Sequence, residues 1–76
     1  MSDNIKDLVR MANQVADFFQ AYPEEEAVPD IAQHIRDFWT AAMRREMAAH
    51  LAAGGAGLKP LALAGLQLAD KDSKAA

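Results

Sequence analysis

Ile31-Ala32-Gln33-His34-Ile35-Arg36-Asp37-Phe38-Trp39-Thr40-Ala41-Ala42-Met43-Arg44-Arg45-Glu46-Met47 has helical spacing at both ends, yet its apolar face does not run straight through. A helix turning about 100° per residue puts Ile31, Ile35 and Phe38 on one side. It puts Met43, Met47 and His50 roughly 100–160° around from them. Either one long helix is buried on two sides, or the chain breaks near Thr40. The break is the better reading, because a threonine oxygen can accept from the free N–H groups of a following first turn. Thr40 is then the N-cap of a new helix, and Trp39 sits at the joint.

Working outward, the preceding segment starts within Glu24–Asp30, where Glu24, Glu25 and Glu26 suit the positive end of a helix dipole. Pro29 fits best in the first turn, where its missing N–H is not needed. Before it, Ile5, Leu8, Val9, Met11, Ala12, Val15, Ala16, Phe18, Phe19 and Tyr22 recur at helical spacing over about Asp3–Ala21, capped by Ser2 or Asp3 and ended by Pro23. These residues cover about half the helix cylinder, more than the roughly 100° stripe that reaches a small core. Downstream, Gly54-Gly55-Ala56-Gly57 stops the helix that starts at Thr40. Pro60 suits the first position of a last helix, Leu61–Ala69. Leu61, Leu63, Leu66 and Leu68 point nearly all around its axis, so it is expected to be covered by another chain. The expected class is all-α, four short helices in one domain over residues 1–69, followed by a polar, disordered tail over 70–76.

Seventy-six residues bury only about 60% of the surface of the unfolded chain, so independent stability is marginal and extra support usually comes from disulfides, a metal or a partner. The chain has no cysteine, which removes disulfides, thiolate metal sites and thiol nucleophiles. A net charge of −3 with mixed signs is the reverse of the basic excess that neutralises phosphates, so nucleic acid is not an expected partner. Met1-Ser2-Asp3-Asn4-Ile5-Lys6-Asp7 is charged where a signal peptide is apolar, and no apolar run nears the roughly 20 residues of a membrane span. A soluble cytoplasmic protein is expected.

The chemistry-bearing residues are few. His34 with Asp37, and Glu46 with His50, have metal-compatible helical spacing, but no third ligand accompanies them, and ordinary surface pairs share this spacing. The glycine run superficially resembles a phosphate-cradling loop, which requires a preceding strand and a Lys-Ser or Lys-Thr before its helix. Here a helix precedes it and Lys59 is followed by Pro60. The only serines, Ser2 and Ser73, are terminal, so no serine–histidine–acid set exists. Arg44, Arg45 and Arg36 form no single basic stripe. A solvated helix face is the first reading of these arginines and a protein interface the second, because their neighbours are so apolar. The aromatics are most often core, and Trp39 is the first candidate among them for an interface anchor.

The ordered stretches Leu8-Val9-Arg10-Met11-Ala12-Asn13-Gln14-Val15-Ala16-Asp17-Phe18-Phe19, His34-Ile35-Arg36-Asp37-Phe38-Trp39, Met43-Arg44-Arg45, His50-Leu51-Ala52-Ala53-Gly54-Gly55 and Gly57-Leu58-Lys59-Pro60-Leu61 carry a resemblance. Together they resemble the delta subunit of soluble, NAD-dependent, molybdenum-containing formate dehydrogenases of bacteria, over nearly the whole chain to Leu68. The resemblance implies a small accessory subunit without a redox centre, associated with assembly or stability. It implies an alpha-subunit partner that carries bis-molybdopterin guanine dinucleotide and iron–sulfur clusters. It also implies beta and gamma subunits with FMN, further clusters and the NAD site. Two positions depart from the family's pattern: Ala41, where proline is common, and Lys59, where serine or threonine is common. Both lie at predicted helix starts.

The expected function is thus a non-catalytic subunit that binds and stabilises the alpha subunit. The alternative is a free-standing regulator that self-associates through the same apolar faces. Expected partner anchors are Phe18, Phe19, Trp39, Arg44 and the leucines Leu61, Leu63, Leu66 and Leu68, with Asn13, His34 and His50 as polar contacts. No catalytic, cofactor or metal residue is assigned to this chain.

Overall fold

The computed structural model describes residues 3–75. Four helices follow one another: α1 over Asp3–Phe19, α2 over Glu24–Phe38, α3 over Ala41–Ala52 and α4 over Pro60–Ala75. No strand occurs among the described residues. The expected caps Ser2 and Asp3 of α1 lie outside the residues whose side chains are described.

The break at Trp39–Thr40 has a local cause. Trp39 leaves the helical region with ψ at 139°, and its N–H closes α2 on the Ile35 carbonyl at 2.9 Å. Thr40 follows in an extended conformation, and its side-chain oxygen accepts from Met43 N–H at 3.1 Å, capping α3. Ala41 at the first helical position is therefore enough, because the cap lies one residue earlier. In α3, Met43, Met47 and Leu51 share the inward stripe at i, i+4 and i+8, with Met47 fully buried.

Pro29 differs from expectation. α2 starts at Glu24, which puts the proline in the second turn. Its ring removes the bond that Glu25 carbonyl would receive. Pro29 and Glu25 are both exposed, so water can serve that carbonyl. Pro23 supplies the start instead, its carbonyl accepting from Glu26 and Ala27 N–H at 2.9 and 2.8 Å.

α3 ends in a Schellman motif. Gly55 N–H donates to His50 carbonyl at 2.9 Å and Gly54 N–H to Leu51 carbonyl at 3.0 Å. Gly54, with φ at +119°, occupies the position where a side chain is disfavoured. Pro60 then opens α4, as the sequence suggests. That helix continues to Ala75, six residues past the expected end at Ala69. Nothing in Asp70-Lys71-Asp72-Ser73-Lys74-Ala75 breaks a helix, and Arg36 of α2 holds Asp72 at 2.7 Å.

α2 and α4 form the most extensive pairing, with α1 laid across both. Small residues permit close contact. Ile31, Ala32 and Ile35 from α2 share one buried cluster with Ala62, Leu66 and Ala69 from α4 and with Leu8, Ala12 and Ala16 from α1. At the crossing, a Cβ on Gly65 would lie only 2.3 Å from Ile31 Cγ2, so the two backbones are as close as glycine allows. The wholly buried Ile31 and Ile35 each contribute about 1.5–3 kcal/mol through burial. α4 is therefore covered largely by its own chain. Another chain is not needed to explain its apolar girth, contrary to expectation.

Candidate partner interface

Once the core is filled, aromatic carbon remains outside. Phe18 is 73% exposed, Phe38 71% and Tyr22 52%. Phe18 and Phe38 border a groove between α1 and α2 whose lining includes Met11, Val15, Phe19 and His34, and Tyr22 lies beside Phe19 with ring centroids 6.1 Å apart. Phe18 meets Phe19 edge-on with ring centroids 5.0 Å apart, and Phe38 lies against the His34 ring at 4.7 Å. A monomeric protein rarely exposes contiguous apolar surface of this kind unless something docks there.

Phe38 and Trp39 exchange the roles that the sequence suggests. Successive residues on a helix stand about 100° apart, so adjacent aromatics cannot both enter one core. Phe38 has the phase of Ile31 and Ile35 and reads as core. It is the last residue of α2, however, and the chain turns away there. Trp39 swings inward instead and is only 5% exposed. The expected first anchor is thus a core residue, and Phe38 faces solvent in its place. The signal for this was the aromatic pair at the joint itself.

The other expected contacts divide sharply. Phe18 is exposed and Phe19 half-buried at the groove, as is His34. Leu66 is 3% exposed and belongs to the core, while Leu61, Leu63 and Leu68 are half-buried against it. Asn13 is engaged within the chain. Its Nδ2 donates to Gly57 carbonyl at 3.0 Å, and its Oδ1 accepts from Lys59 N–H at 2.9 Å. His50 Nε2 lies 2.8 Å from Ala56 carbonyl. Lys59 Nζ donates to Asp17 at 2.7 Å, across the same seam. Asn13 and His50 therefore hold the glycine loop against α1 and α3. Lys59 needs no hydroxyl, because Asn13 secures its backbone N–H. Arg44 is half-buried beside Trp39, in a hollow between α3 and α4.

No group of three or more histidine, aspartate or glutamate side chains able to hold a metal occurs among the described residues. None of their helices is long and apolar enough to cross a membrane.

Residues 7–66 match the family described as NADH-dependent formate dehydrogenase delta subunit, FdsD. The chain belongs to this family. The matched span takes in α1 from Asp7 onward, all of α2 and α3, the glycine loop and α4 as far as Leu66. The exposed aromatics and the Asn13–loop seam are thus parts of the FdsD-matching region, whereas Leu68 and Asp72 lie beyond it. No curated protein matches the chain, and no solved structure does.

Proposed function

We propose that this chain is the non-catalytic delta subunit of a cytoplasmic NAD-dependent formate dehydrogenase, and that the α1–α2 groove docks it on the molybdenum-bearing alpha subunit. The observation that carries this reading is the pair of phenyl rings on adjacent helices, Phe18 and Phe38, each more than 70% exposed in a chain of the delta-subunit family. Aromatic anchors of this kind dominate the energetics of protein interfaces. The bis-molybdopterin guanine dinucleotide, iron–sulfur clusters and FMN belong, on this proposal, to the alpha, beta and gamma subunits. This chain has no cysteine for a cluster and no metal-capable cluster of side chains among its described residues.

The mechanism is linkage. A subunit that binds the folded, cofactor-loaded partner better than the unfolded or empty one stabilises the loaded state by mass action. Co-expression of the enzyme with and without this chain tests the proposal. Without it, the yield of assembled complex or the molybdenum content per alpha subunit is expected to fall. Turnover per molybdenum is expected to stay close to its original value. A sharp drop in turnover per molybdenum would overturn the purely stabilising role. A chain that purifies as a stable homodimer and ignores the other subunits would favour self-association instead.

A further inference from the structure

We propose that the hollow between α3 and α4 is a second docking site, which takes an acidic-apolar segment of a partner polypeptide in the formate dehydrogenase complex. This rests on reading the chain as a docking subunit, though not on which subunit it meets.

The hollow has a volume of about 330 Å³, at the lower end of the range for sites that enclose a ligand group. Trp39, Leu51 and Leu66 form apolar walls, and Arg44 and Arg45 stand on the α3 side. Arg44 Nε is buried and meets no acceptor of this chain, the one such side-chain nitrogen or oxygen identified among the described residues. Buried donors are almost always hydrogen-bonded, and an unpaired one bears the cost of desolvation without a bond in return. Asp70 lines the α4 wall but is already engaged within the chain.

With two guanidinium groups and one carboxylate among its lining residues the hollow is net positive, against a chain whose net charge is −3. A guanidinium presents its donors in a planar fork that fits a carboxylate, and the indole and leucine walls fit an aliphatic or aromatic side chain. The occupant that satisfies both is a short peptide segment with an apolar residue next to an aspartate or glutamate. The α1–α2 groove has no arginine or lysine in its lining, so the two faces select different chemistry.

The test places the photo-crosslinking residue p-benzoylphenylalanine at Ala41, on the exposed rim of the hollow, and separately at Phe18, in the co-expressed complex. Crosslinking from position 41 to a segment with an acid beside an apolar residue supports the site, whichever subunit carries the segment. Crosslinking from position 18 to a subunit other than alpha overturns the alpha-docking proposal, and the second site stands or falls on position 41 alone. Crosslinking from position 18 without any from position 41 overturns the second site alone. Loss of both overturns both. Crosslinking from position 41 to a basic segment or to a second copy of this chain also overturns it, as does a small amphipathic anion found bound in native mass spectra. As a second measurement, Arg44→Gln is expected to weaken retention in the complex about tenfold while the thermal midpoint of the isolated chain holds or rises. A lowered midpoint with unchanged retention would mean that Arg44 is only structural.

Discussion

The two flanks of α1 behave in opposite ways. On one flank Met11, Val15 and Phe18 border a groove that nothing in the chain fills. Roughly opposite, Asn13 and Asp17 meet the glycine loop and close the seam with three contacts of 2.7–3.0 Å. Both flanks carry residues that sequence reading offers to a partner. The difference lies in what each group can find at home. An amide with a donor and an acceptor is satisfied by two backbone groups of a nearby turn, whereas a surplus phenyl ring gains only by leaving water, and this core is already full. In a chain this small, the open surface is accordingly the apolar one.

The largest expected effect breaks the open flank. Phe18→Ser combined with Phe38→Ser removes two anchors and is expected to reduce retention in the complex about a hundredfold or more, as measured by co-purification at fixed subunit concentration. Exposed rings contribute little to the monomer, so the thermal midpoint is expected to move only slightly. Retention at the original level would eliminate the groove as the docking face.

Gly65→Val acts on the closed interior that both flanks depend on. Because even a Cβ would meet Ile31 Cγ2 at 2.3 Å, α2 and α4 must separate, at a cost of about 2–3 kcal/mol in urea unfolding. An unchanged midpoint would mean that the helices do not cross at that distance. The sequence carried no sign of this crossing, since an isolated glycine in an apolar helical run gives neither its partner nor its distance. The break at Thr40 was legible because two local signals agreed there, a shift in apolar phase and an N-capping side chain. The glycine stop and Pro60 were legible for the same reason. The fates of Asn13 and His50 were not. Asn13's partners stand 44 and 46 residues away, and His50's is a carbonyl in an irregular turn. The length of α4 was underestimated because its polar end looks like a tail until Arg36 meets Asp72.

Asn13→Ala opens the closed flank. It leaves Gly57 carbonyl and Lys59 N–H without their partner and is expected to cost about 1–2 kcal/mol. Asn13→Asp sharpens the test. It keeps the acceptor for Lys59 N–H while turning a negative oxygen toward the Gly57 carbonyl. In hydrogen exchange, the Lys59 amide is expected to lose protection in Asn13→Ala and to keep more of it in Asn13→Asp. Equal loss in both would mean that the acceptor half of the contact does not hold the loop.

Lys59→Met has the smallest expected effect, about 0.5 kcal/mol or less. The Lys59–Asp17 pair is 2.7 Å long, but its side chains are 54% and 46% exposed, and water and salt screen them. Its value lies in combination with Asn13→Ala. If the amide sets the loop's position, the ammonium reaches Asp17 only while the amide is present, and Lys59→Met is expected to cost nothing further in the Asn13→Ala background. Simple addition of the two effects would instead mean that each contact holds the loop independently, and that the closed flank is two separate fastenings of similar kind.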